Sequence, residues 1–293
     1  MTYRRTPTLI LVAPLVLGAL ASCAATVSGS APGSDATSTT EEVTSTTEAA
    51  PTTTEQVPTT EAPTTIGEPT TTLAPNVEIV GSAFIAVAPI GKTDGPAAAV
   101  LQDRLTQLGF WTGTSDGDYG FATTQAVMAF QKYHWLTTSG KVDEATAERL
   151  NNVVERAHGF ADTGTLVEVD KGRQLLFIVV DGKTLWTFNT STGSENPYEA
   201  PNQHDPTKIE KGDSVTPNGL WKVDRERPDG WWEGDLGKIY RPKYFRGGVA
   251  IHGMTSVPNY PASHGCVRVS VAAMDLIWEQ NLMPLGTPVW VHE

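Results

Sequence analysis

The stretch SHGCVRVS, residues 263–270, holds Cys266, one of two cysteines in a chain of 293 residues. His264 precedes it by two positions, and His252, in AIHG (residues 250–253), precedes it by fourteen. Three readings fit such a group: a thiol packed as a small apolar side chain, a metal site, or a nucleophile with its base. A free thiol has a pKa of about 8.5 and is mostly protonated at neutral pH. A nucleophilic cysteine therefore needs a base within reach and donors for the charge that forms on a substrate carbonyl. His252 and His264 are the candidate bases. Gly265 lets the backbone turn sharply, so that its N–H and that of Cys266 can face such a carbonyl. If residues 264–266 run as a strand, His264 and Cys266 point to one face; in a tight turn they need not. The metal reading has two nitrogens and one sulfur, but no CxxC or HxxxH accompanies them and a structural zinc site wants a fourth ligand.

Outward from this stretch, residues 164–292 read as strands. TLVEVD (residues 165–170) alternates, and QLLFIVVDGKTLWTFNTSTG (174–193) is two apolar runs joined by Asp181-Gly182, a hairpin signal. GLWKVD (219–224), GVAIHG (248–253) and TPVWVH (287–292) are further short strands. One helix is expected in SVAAMDLIWEQNL (270–282), capped by Ser270, with Ala273, Ile277 and Asn281 on one side and Met274, Leu276 and Trp278 partly buried. Residues 195–215 form a long polar segment, either a lid or a plain excursion. GWWEG (230–234) can rim a cleft.

Residues 96–152 change character. PAAAVLQDRLTQLGF (96–110) sets Val100, Leu101, Leu105 and Leu108 on one helical face, with Pro96 in the first turn, Asp94 or Gly95 as cap and Gly109 as stop. TTQAVMAFQKYHWL (123–136) is a second helix capped by Thr123 or Thr124. VDEATAERLNNVV (142–154) is a third, capped by Asp143. The fold class expected is thus multidomain α and β: a small three-helix bundle followed by a mainly β domain with one short helix.

These motifs carry two resemblances. Residues 101–150 resemble the peptidoglycan-binding type 1 domain through LQxRLxxLGF, DGxYGxxTxxAVxxFQ and GxVDxxTxxxL. Residues 164–292 resemble the YkuD-type L,D-transpeptidase catalytic domain through TSTG (190–193), TPNGLWKV (216–223), AIHG and SHGCVRVS. That likeness implies Cys266 as nucleophile, His252 as general base and Gly253 as the residue whose carbonyl orients it. It implies His264 as a further member of the site, and Ser263, Gly265 and Arg268 as shaping or substrate-binding residues. It implies no cofactor and no metal, peptidoglycan as partner, and acylation by carbapenems. The implied reaction cleaves the bond between the diamino acid and the terminal D-Ala of a tetrapeptide stem and forms 3→3 cross-links. Hydrolysis of the same thioester, and a non-catalytic wall anchor, are the competing expectations. The short interval from His252 to Cys266 departs from members with an insertion there and leaves the acceptor side open.

The first quarter of the chain is of another kind. MTYRR followed by TLILVAPLVLGALA (8–21) reads as an export signal, too short for a comfortable span. LASC (20–23) resembles a bacterial lipoprotein signal, which implies residues 1–22 as signal peptide, lipidation of Cys23 and a membrane-held protein at the outer face of the cytoplasmic membrane or in the wall; plain secretion is the alternative. Residues 23–78 are a Thr/Pro/Glu-rich stalk with too little apolar surface to fold. Formal charge is 21 − 33 = −12, and residues 24–78 hold eight acids and no Lys or Arg. No basic footprint for nucleic acid is present, and a monomer is expected.

Overall fold

The computed structural model describes residues 74–293. The expected signal segment, Cys23 and the stalk up to residue 73 lie outside the described residues. Three α-helices come first: α1 (Pro96–Gln107), α2 (Phe121–Tyr133) and α3 (Glu144–Asn152). Strands follow: β1 (Leu166–Asp170), β2 (Leu175–Val180), β3 (Lys183–Asn189), β4 (Pro197–Pro201), β5 (Ile209–Asp213) and β6 (Gly219–Lys222). Then come β7 (Arg225–Glu226), β8 (Trp231–Gly234), β9 (Gly237–Arg246), β10 (Val249–Met254) and β11 (Val267–Ser270). The last two elements are α4 (Val271–Glu279) and β12 (Pro288–His292). Among the described residues no helix is long and apolar enough to cross a membrane.

The helix starts separate into two that follow side-chain capping and two that do not. Asp143 accepts from the Thr146 N–H at 2.8 Å and Ser270 from the Ala273 N–H at 3.1 Å, the expected caps of α3 and α4. Helix α1 starts at Gly95 with no side-chain cap. Asp94 instead accepts from the Tyr119 N–H at 2.8 Å, tying the helix entrance to the next loop. Helix α2 starts at Gly120, ahead of the expected Thr123 or Thr124. Thr123 is buried inside the first turn and donates to the Asp118 carbonyl at 3.1 Å, so its hydroxyl is already committed.

Two five-stranded sheets make the mainly β part. The first has the order β3-β2-β1-β12-β6, with β1 and β12 parallel. Asp181 and Gly182, with φ of 49° and 77°, make the two-residue turn between β2 and β3, the left-handed geometry that Asp-Gly accommodates. The second sheet has the order β11-β10-β9-β7, with β8 on β9. β4 and β5 form a separate hairpin.

The first sheet is buried on both sides, which explains the unbroken apolar run of β2. Leu175, Phe177 and Val179 face a cluster with Leu101, Leu105, Phe130 and Leu150 of the helices. Leu176 and Ile178 face a second cluster with Phe245, Ile251, Val267, Met274 and Ile277. The helices therefore share their core with the sheet. Met274, expected to be partly buried, is fully buried there. Within the alternating TLVEVD, Glu168 is 0% exposed. Its carboxylate accepts from the Phe160 and Ala161 N–H groups at 2.9 and 2.8 Å and lies 2.9 Å from His292 Nε2.

Candidate active site

The parallel pair β10–β11 assembles the site. Register places His252 opposite Arg268, and Cys266 sits one residue ahead of β11. The turn before Cys266 is held by a chain of short bonds. Ser263 Oγ donates to the Cys266 carbonyl at 2.5 Å and accepts from the Gly265 N–H at 3.0 Å. Thr216 Oγ1 donates to the Gly265 carbonyl at 2.7 Å and accepts from the Gly193 N–H at 2.9 Å. The three segments TSTG, TPNG and SHGC, far apart in the chain, thus meet at one turn. Gly265 has φ +126°, and a Cβ there would lie 2.9 Å from the Val215 carbonyl oxygen. Both backbone angle and space require glycine. One expectation is corrected: the Gly265 N–H is spent on Ser263 Oγ and is not free for a substrate oxygen. The Cys266 N–H has no acceptor among the described residues.

His252 is 2% exposed. Its Nδ1 lies 3.1 Å from the Gly253 carbonyl. A carbonyl only accepts, so Nδ1 carries the proton and Nε2 is the basic nitrogen. Burial, with a smaller contribution from the Arg268 charge, pulls the imidazole down to about 4, against a weaker upward pull from the Gly253 carbonyl. It is neutral at neutral pH. Cys266 is half-buried at the wall of a cavity, with Sγ 3.7 Å from the Gly248 carbonyl. Burial pushes its thiol up, while a backbone hydrogen bond at Ala250 and then the Arg268 charge pull the other way. The sulfur is thus a thiol at rest, on the wall of the same cavity as a neutral imidazole.

His264 takes the turn geometry rather than the strand. It is exposed at the cavity rim, and its ring lies 4.7 Å from that of Tyr198 on β4. The polar segment 195–215 is therefore a hairpin that reaches the site. His252, Ser263, His264, Cys266 and Arg268 all line one cavity of about 610 Å³. Gly253 contributes its carbonyl, and a Cβ at that position would lie 3.0 Å from the Tyr240 ring and 3.2 Å from Met274. Among the described residues no group of three His, Cys, Asp or Glu is placed to hold a metal ion. The cavity also takes in Tyr198, Arg225, Arg227, Trp232 and Tyr244. Of these Trp232 carried a signal in GWWEG, and Tyr198 one through the long segment 195–215. The arginines follow no motif and come to the cavity through strand pairing.

Residues 164–291 match the family model of the YkuD L,D-transpeptidase catalytic domain, and residues 94–150 match that of a putative peptidoglycan binding domain. A solved L,D-transpeptidase structure from Xylanimonas cellulosilytica is 42% identical, with a TM-score of 0.62, covering 70% of this chain and 97% of that one. An L,D-transpeptidase structure from Stackebrandtia nassauensis is 23% identical with a TM-score of 0.40, again over 70% of this chain and 97% of that one. A curated relative, the N-acetylmuramoyl-L-alanine amidase CwlM of Mycobacterium tuberculosis, is 37% identical over 65 residues. That match spans 22% of this chain and 16% of the relative's length. With two family models matched in sequence order and near-complete coverage of a 42% identical structure, the chain belongs to the YkuD-type L,D-transpeptidase family, with a peptidoglycan-binding domain ahead of its catalytic domain.

Proposed function

We propose that the protein is a cell-wall L,D-transpeptidase in which Cys266 is the nucleophile and His252 the general base. The observation that carries this is the pairing of a neutral, Nδ1-anchored imidazole with a thiol on the wall of the same cavity. His252 Nε2 takes the Sγ proton as the sulfur attacks the carbonyl between the diamino acid and the terminal D-Ala of a tetrapeptide stem. The Cys266 N–H, without another acceptor, donates to the oxyanion. His252 returns the proton to the leaving amine of D-Ala. The thioester then passes to the side-chain amine of a second stem, giving a 3→3 cross-link. Ser263 and Gly265 hold the turn, the Gly253 carbonyl fixes the imidazole tautomer, and Arg268 favours the thiolate by its charge. His264 is a rim residue in this reading, and no cofactor takes part.

Export through residues 1–22, lipidation at Cys23 and action as a monomer at the outer face of the membrane complete the proposal. The expected stalk boundary at residue 78 is too late, because Asn76 Nδ2 donates to the Gly159 carbonyl at 3.0 Å and the Glu78 carbonyl accepts from the Arg156 N–H at 2.8 Å; the stalk ahead of them would carry the folded part, and the domain at 96–152 would raise the local concentration of wall substrate. An intact-mass experiment tests the chemistry. The purified chain is mixed with a disaccharide-tetrapeptide and compared with Cys266→Ala. An adduct of the stem minus D-Ala on the wild type alone is expected, with cross-linked dimer in solution. Tripeptide without dimer would instead make it an L,D-carboxypeptidase. Binding to wall fragments with no adduct and no D-Ala release would make it an anchor.

A further inference from the structure

The cavity that holds Cys266 is richer in cations than the rest of this acidic chain. Arg225, Arg227, Lys238 and Arg268 line it, against Glu233 and Asp235. Asp235 is engaged with His204 at 3.3 Å. Glu226, between the two arginines in sequence, points away and pairs with Lys243 at 2.7 Å. Arg225 and Arg227, two residues apart on an extended segment, project to one face.

Both guanidiniums are seated on aromatic rings. Arg225 Cζ lies 3.9 Å from the centre of the Tyr244 ring, and Arg227 Cζ lies 3.7 Å from that of Trp232. Stacking fixes the plane of a guanidinium and leaves its in-plane N–H donors free, which suits a planar two-oxygen acceptor. Arg225 spends one of its donors on the Gly247 carbonyl at 3.0 Å. Arg227 Nε is buried with no hydrogen-bond partner among the described residues. A buried donor without an acceptor is costly.

Register connects these arginines to the sulfur. Arg225 pairs with Tyr244, Tyr244 with Ala250, and Ile251 with Val267, so that Arg225, Tyr244, Ala250 and Cys266 form one row across the second sheet. Three interstrand spacings make the row about 14 Å long. An extended peptide advances about 3.4 Å per residue, so a carboxylate up to four residues from the bond at Cys266 falls within that row. We propose that Arg225 and Arg227 form a carboxylate-binding subsite that positions a stem peptide against Cys266. The inference rests on the transpeptidase reading above. In such a substrate the two carboxylates nearest the bond at Cys266 are the chain terminus and the side chain of the diamino acid.

The test uses the Cys266→Ala chain, which cannot turn substrate over. Binding is measured by calorimetry for three peptides: the tetrapeptide stem, its C-terminal amide, and the stem with the diamino-acid carboxylate amidated. Arg225→Gln and Arg227→Gln should each weaken binding of the unmodified stem about 10-fold, the scale of one charge-assisted bond. One of the two amides should bind the parent chain as weakly and lose nothing further in the variants. Which amide does so names the source. Arg227→Lys should recover part of the affinity, a result that misfolding would not give. Equal losses for all three peptides, or none, overturn the subsite. If the arginine variants bind normally while wild-type protein still forms its adduct, the subsite alone fails. If there is neither binding nor adduct, the transpeptidase reading fails and the subsite with it.

Discussion

The two faces of the first sheet are equally apolar, yet they do different work. The helix-side face presents Leu175, Phe177 and Val179, and the catalytic-side face presents Leu176 and Ile178, all 0% exposed. The difference lies in the buried polar groups beside each face. On the helix side, Lys132 of α2 is buried and donates to the Gln174 and Thr190 carbonyls at 3.2 and 3.1 Å. Gln125 of α2 donates to the Val257 carbonyl at 3.2 Å and accepts from Asn189 Nδ2 at 2.6 Å. Lys132 and Gln125 close on backbone and on Asn189, whose Oδ1 stays buried without a partner among the described residues. On the catalytic side, beyond the apolar cluster, His252 is equally buried but has one nitrogen tied and the other left toward the cavity. Desolvation lowers both the lysine and the histidine. A satisfied buried cation acts as a brace, whereas a half-satisfied buried base can move a proton.

His252→Gln should have the largest effect, because it removes the basic nitrogen. Thioester formation should slow by about 10²- to 10⁴-fold, while thermal stability stays close to that of the parent. In the wild type the rate should fall as pH drops through about 4, where His252 gains its proton. A mass-spectrometric time course across pH reads both, and an acid limb near 6.5 would show that the imidazole is not buried as described.

The shared core predicts that the two faces fail together. Phe177→Ala should cost about 3–5 kcal/mol and Ile178→Ala about 2–5 kcal/mol, each within a single unfolding transition seen by urea denaturation. Two separate transitions in the Phe177 variant would break the comparison and make the helices an independent unit.

Lys132 sharpens it further. Burial pulls its ammonium down to about 7 in the folded chain, from an ordinary value of 10.5. Between those values the unfolded chain holds a proton that the folded one lacks, so stability should rise with pH across that window. The slope has a ceiling of about 1.4 kcal/mol per pH unit. Lys132→Met should remove this part of the slope, measured by urea titration at pH 7 and 10. The smallest change expected is Asp143→Ala, about 1 kcal/mol, from loss of the α3 cap. It touches neither face and should leave thiol chemistry unaltered.

Local signals carried much of this. Asp181-Gly182, Asp143 and Ser270 act through their own turn or first helical turn, so neighbours in sequence suffice to read them. Cys266, His252, Ser263 and Arg268 were legible as a group because two short motifs carry them. What sequence could not supply was anything decided by distant pairing. Thr123 reads as a cap until the Asp118 carbonyl claims its hydroxyl. The Gly265 N–H reads as an oxyanion donor until Ser263 Oγ takes it. Glu168 carries no signal of burial within TLVEVD, and the 160–161 segment folds over it. Arg225 and Arg227 carry no motif at all, and only the β7–β9–β10–β11 row brings them toward the sulfur. The chain alone determined which side chains are available as thiol and imidazole, and where α3, α4 and the β2–β3 turn begin. Tertiary structure decided which donors remain free, because a hydrogen bond is allotted by geometry among partners far apart in sequence.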